Sequence, residues 1–139
     1  MRTMARSDAI DWRDPAPTSI LLLVLLAAAL GCASIASGAP AWRVLVLLLL
    51  APAAEEVVFR VGLHEALLRR AFNPVMVNAA VAVAFAAAHL VTRPWPLAIG
   101  VIVPSLVVGL TYQRTRRVGP CIALHAAMNA LWMGWELVS

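Results

Sequence analysis

"AWRVLVLLLLAPAAEEVVFRVGLHEALLRR" occupies residues 41–70. Its opening half is almost purely apolar, yet Glu55, Glu56 and Arg60 follow within the same run. A turn at Gly38-Ala39-Pro40 precedes it, with proline at a tolerated helix start. The stretch predicts one helix from near Pro40 to about Arg70, kinked at Pro52. At about 1.5 Å per residue it exceeds one hydrocarbon core, so its last turns are expected to emerge into the interface.

On the N-terminal side, "TSILLLVLLAAALGCASIAS" (18–37) predicts a spanning helix, with Thr18 or Ser19 as its cap. Residues 1–17 carry Asp8, Asp11, Asp14, Pro15 and Pro17 and read as a polar tail. Arg2, Arg6 and Arg13 ahead of the apolar run imitate a signal peptide. Four further hydrophobic segments argue for a retained first helix instead. On the C-terminal side, Asn73-Pro74 opens an alanine-rich third helix, "VMVNAAVAVAFAAAHLV" (75–91), whose small side chains permit close packing in lipid. Pro94-Trp95-Pro96 makes a turn, and residues 97–112 a fourth helix containing Pro104. "QRTRRVGP" (113–120) reads as a basic loop. "CIALHAAMNALWMGWELV" (121–138) reads as the fifth helix, with Trp132 and Trp135 as interfacial anchors. The fold class expected is all-α: a polytopic membrane bundle of about five transmembrane helices, one domain over 18–139 with its core at about 41–135.

Composition agrees. Hydrophobic residues make up 63% of the 139, more apolar surface than a soluble domain of this length hides. The bilayer is therefore the expected surrounding. All eleven basic residues are arginine, at the ends of apolar runs except for Arg60, with no basic stripe. Nucleic acid is excluded as a partner. Arg2, Arg6, Arg13, Arg69, Arg70, Arg114, Arg116 and Arg117 fall on one side of a five-helix path, Arg43 and Arg93 on the other. The positive-inside rule then predicts a multi-pass protein of the cell (inner) membrane, N-terminus cytoplasmic and C-terminus outside. Cys32 and Cys121 form no CxxC pair and read as small packing residues.

Ionisable groups inside a membrane are costly, at about 2.5–3.5 kcal/mol for a charge at a helix centre on insertion scales, so those present mark function or pairing. Glu56 and Arg60 stand four apart in the favourable order for a helical ion pair, which suits a structural role. Glu55 is left without a cation one turn on. An unpaired carboxylate in an apolar setting is how a general base near neutral pH is made. His125 and Asn129 share one helix face, and Phe85 and His89 repeat the spacing. A water between Glu55 and His89 is then placed to attack a peptide carbonyl, with His125 and Asn129 as oxyanion donors, each worth about 2.7–4 kcal/mol. That pairing needs a kink, a tilt or a deeper third helix to bring Glu55 and His89 to one depth. The plainer alternative for His89, His125 and Asn129 taken singly is interhelical hydrogen bonding. His64 is expected where the second helix leaves the membrane, Glu65 with Arg69 as a solvated pair, and Ser105 and Tyr112 as weak candidates.

Glu-Glu-Val-Val-Phe-Arg (55–60), Phe-Ala-Ala-Ala-His (85–89) and His-Ala-Ala-Met-Asn (125–129) match EExxxR, FxxxH and HxxxN in that order. Over roughly 41–135 the chain resembles the CPBP (Abi) family of CAAX prenyl endopeptidases and bacteriocin-processing or immunity proteins, in a compact bacterial form. The resemblance implies a glutamate-dependent intramembrane endopeptidase. Glu55 and His89 would activate water, His125 and Asn129 would form the oxyanion hole, and Glu56, Arg60 and Phe85 would support the site. The expected substrate is a membrane-anchored protein or C-terminal tail, such as a sorting signal. No cofactor is expected; the alternative is a zinc protease with Glu55, His89 and His125 as ligands. Two other classes stay open: a non-catalytic immunity or partner-binding protein, and a small transporter or proton relay.

Overall fold

The computed structural model describes residues 17–136 and 138. Among these the chain is entirely helical, without a strand. Helix α1 is Pro17–Ala36. Helix α2 covers 41–69 without a break, and two stretches of it, Val46–Leu50 and Val57–His64, have π-helical winding. Helix α3 is Pro74–His89, capped by Asn73, whose side chain accepts from the N–H groups of Val75 and Met76. Helix α4 is Trp95–Thr115, with an irregular turn at Val101 between two regular pieces. Helix α5 is Val118–Glu136.

Five helices were expected, and five are present among the described residues. The boundaries differ in informative ways. Of the predicted tail, 1–16 lie outside the described residues, Arg2, Arg6 and Arg13 with them, while Pro17 opens α1. The basic loop expected at 113–120 shrinks to Arg116 and Arg117. Gln113 stays helical because its amide bonds Pro74 O (2.6 Å) and Nε2 of His64 (3.0 Å), tying the end of α4 to its neighbours. Pro120 fits in the first turn of α5, where its missing N–H would have had no helical partner. Arg116 ends α4 in the left-handed region (φ 53°), its N–H on Tyr112 O at 2.7 Å.

Prolines shape both helices that flank the site. Pro52 follows directly on the Val46–Leu50 π stretch. In an i→i+5 pattern the donor for Leu47 O would be residue 52, which has no N–H. Asn129 supplies the missing donor, Nδ2 to Leu47 O at 2.9 Å. Pro104 likewise deprives Gly100 O of its donor, next to the irregular turn at Val101.

The arrangement is polar inside and apolar outside. Glu56, Arg60, His64, Asn78 and Ser105 are buried, whereas Leu22, Leu25, Leu49, Val58, Val83, Val103 and Leu131 point outward. An apolar outer surface suits lipid, and most of the inner groups find partners within the fold. Thr18–Ala36 and Trp95–Thr115 are long and apolar enough to cross a membrane, and Pro74–His89 is a shorter apolar helix. Ala27 of α1 packs on Ala126 and Ala130, while α2 lies along α5, from Arg43–Glu136 at one end to Glu56–His125 further in. Trp42 and Trp132 face a common hollow at one end with Arg43 and Arg93. Glu65, Arg69 and Arg116 cluster at the other.

Close approach of α3 and α4 depends on Gly109, where a Cβ would overlap Oδ1 of Asn78. Asn78 is held there by its Nδ2 bond to Leu106 O at 3.0 Å. Gly109→Ala is expected to cost about 1–3 kcal/mol by overpacking. Gly119→Ala, whose Cβ meets nothing within 4 Å, serves as the silent control. Thermal unfolding of both variants in detergent checks this, and equal midpoints would remove Gly109 from the packing account.

Candidate active site

One face of α2 presents Glu56, Arg60 and His64 at four-residue intervals, with side chains essentially closed to solvent. Oε2 of Glu56 accepts from Nε of Arg60 at 2.9 Å. Nη2 of Arg60 reaches α4, donating to Ser105 Oγ (2.8 Å) and Ser105 O (3.1 Å). The other oxygen of Glu56, Oε1, lies 2.8 Å from Nδ1 of His125 on α5. A carboxylate accepts only, so Nδ1 of His125 carries the proton and Nε2 is left for other work. The chain Ser105–Arg60–Glu56–His125 therefore fixes the orientation of that imidazole from two other helices.

Nε2 of His125 faces Glu55, whose Oε2 is 3.7 Å away. That is too long for a direct hydrogen bond. Oε2 of Glu55 is buried and has no hydrogen-bond partner among the described residues, although the side chain as a whole is 30% exposed. A carboxylate oxygen thus stands beside an oriented histidine with its acceptor position open.

Across the bundle, His89 places Nδ1 2.9 Å from Phe85 O. The carbonyl can only accept, so Nδ1 is again the protonated nitrogen and Nε2 holds a lone pair. Phe85 is the spacer of the site: its ring lies 4.9 Å from Phe59, 4.5 Å from His89 and 5.9 Å from His125, centroid to centroid. His89, His125 and Asn129 line one cavity of about 300 Å³ between α3, α4 and α5, its other walls largely apolar. No ion pair or hydrogen bond joins Glu55 to His89 among the described residues; Glu55 adjoins His125, and His125 shares the cavity with His89. Asn129 spends one N–H on Leu47 O and keeps a second.

A family model for the type II CAAX prenyl endopeptidase Rce1-like family matches residues 15–131. The chain belongs to that family. No curated protein and no solved structure matches it. The Rce1-like family is a membrane-embedded protease family, which supports a peptide hydrolase here. In this Rce1-like chain the three motifs recognised in the sequence form one continuous constellation: EExxxR supplies Glu55, Glu56 and Arg60, FxxxH supplies Phe85 and His89, and HxxxN supplies His125 and Asn129.

Among the described residues no three His, Cys, Asp or Glu side chains are grouped to hold a metal ion. Glu55, His89 and His125 are thus not grouped as the three ligands of a catalytic zinc.

Three residues gain partners that the sequence did not reveal, and Glu65 among them is corrected. His64 is fully enclosed, against Tyr112 and Gln113, because α4 packs along α2 to that level. Its spacing from Glu56 and Arg60 was the available signal. Glu65 does pair with Arg69 (3.1 Å), but it also accepts from Tyr112 (3.1 Å) and Arg116 (2.8 Å), so it ties α4 to α2 instead of standing in solvent. Partial burial pushes the Glu65 carboxyl up, and the bonds from Arg69 and Tyr112 with the charge of Arg116 outweigh it, holding it below its ordinary value. Ser105, set aside as a weak nucleophile, is buried and works as the acceptor that holds Arg60.

Proposed function

We propose that this Rce1-like chain is a glutamate-dependent intramembrane endopeptidase. It hydrolyses a peptide bond near the membrane in a membrane-anchored or C-terminal-tail substrate, sorting-signal tails included. The observation that carries the reading is the open, buried Oε2 of Glu55 beside Nε2 of His125.

In this mechanism a water bound to Glu55 Oε2 and His89 Nε2 gives a proton to Glu55 and attacks the carbonyl carbon. The oxyanion accepts from the second N–H of Asn129. It accepts also from His125 when Nε2 of that ring bears a proton. Glu55 then passes its proton to the leaving amine. Apolar walls keep bulk water out and strengthen each of these interactions. Phe85 keeps the two histidines apart, and Glu56 with Arg60 holds His125. The same reading makes the chain a multi-pass protein of the cell membrane, N-terminus cytoplasmic and C-terminus outside, and the end rich in tryptophan is then the outer one.

The test uses the full-length protein in lipid nanodiscs with a mixture of lipid-anchored peptides, products being read by mass spectrometry. Wild type is expected to cleave, equally well with or without EDTA. Cleavage abolished by EDTA and restored by zinc would replace this mechanism with a metal-dependent one. Peptides left intact under every condition would favour a non-catalytic immunity or partner-binding protein.

A further inference from the structure

Two hollows meet at the tryptophan end of the bundle. The cavity of His89, His125 and Asn129 shares Arg93 and Trp132 with a second hollow, of about 410 Å³, that also touches Arg43 and Glu136. The two form a path from the proposed catalytic groups to the bundle rim. Two guanidinium groups stand along this path, and they differ. Arg43 is neutralised by Glu136 at 2.8 Å, which Trp132 also bonds through its indole N–H at 2.9 Å. Arg93 has no hydrogen bond or ion pair from its side chain among the described residues, although it lines both hollows and is only half-exposed. Its backbone N–H bonds His89 O at 2.9 Å, so it follows His89 by one helical turn.

We infer that Arg93 is a specificity-determining residue that receives a carboxylate of the substrate peptide at the rim of the catalytic cavity. The inference rests on the protease reading and adds the substrate's chemistry to it. A guanidinium without a counter-ion, next to apolar walls, gains most from a planar anion that it binds bidentately. One helical turn is about 5.4 Å, and an extended peptide advances about 3.3–3.6 Å per residue. With the reach of the arginine side chain added, the carboxylate lies about two to four residues from the bond cleaved. An Asp or Glu side chain and a free C-terminal carboxylate offer the same group. Arg43, already paired, is left as a fixed part of the wall.

The experiment offers the full-length protein in nanodiscs lipid-anchored peptides as matched pairs: Glu against Gln at each position flanking the cleaved bond, and C-terminal acid against amide. Wild type is expected to cut the acidic member of one pair at least ten times faster, and the pair that responds names the source of the carboxylate. Arg93→Ala should reduce that preference to under about twofold, mainly through KM. Arg93→Glu should turn it toward a Lys-bearing peptide. Thermal unfolding of each variant, matched to wild type, excludes a folding defect. Equal cleavage of every pair by wild type, or a preference unchanged in Arg93→Ala, overturns the assignment while leaving the protease reading intact. Peptides untouched by wild type would defeat the protease reading itself, and this inference with it.

Discussion

Glu55→Gln is expected to lower cleavage of a lipid-anchored peptide by about 10²–10⁴-fold while the protein accumulates and unfolds as wild type does. The size is that of losing a general base. Retention of the fold follows from the site: Oε2 of Glu55 accepts no hydrogen bond among the described residues, and part of the side chain is exposed. A neutral amide at that place also costs the membrane less than a charge. Glu56→Gln is not equivalent, because Glu56 serves Arg60 with one oxygen and His125 with the other. Initial rates beside unfolding midpoints in the same detergent check the prediction. Cleavage by Glu55→Gln within about threefold of wild type would remove Glu55 from the chemistry.

Arg60→Ala carries the largest expected effect on stability, a loss of about 3–5 kcal/mol, because it leaves Glu56 buried without its cation. Replacing the pair together, Glu56→Leu with Arg60→Met, removes both buried charges and is expected to restore most of that stability. Activity should not return with it. Without Glu56, Nδ1 of His125 loses the acceptor that fixes its tautomer and orientation. Unfolding midpoints and initial rates for the single and double variants separate the two roles. A stable double variant with wild-type cleavage would show that Glu56 does not position His125.

Much of the site was legible because a helix puts residues four apart on one face. Glu56 with Arg60, Phe85 with His89, and His125 with Asn129 were read from that spacing alone. The spacing is silent about which helix meets which. Glu56 pairs with Arg60 as its spacing predicted, yet a carboxylate has two oxygens, and the second goes to His125 on another helix. Helix boundaries failed where tertiary contacts override local composition: Gln113 and Thr115 look like loop residues but are held by side-chain bonds to Pro74 O and Thr111 O. Pro52 was read as a kink. Its more consequential effect is the stranded Leu47 carbonyl, which gives Asn129 a structural duty beside the catalytic one proposed for it.

The most direct test of the central claim compares host strains that carry wild type and Glu55→Gln, by mass spectrometry of the C-termini of membrane proteins. The account predicts a defined set of proteins that keep an uncut tail in the Glu55→Gln strain, with the variant itself present in the membrane at the wild-type level. Identical C-termini in the two strains, both expressing the protein, would contradict it.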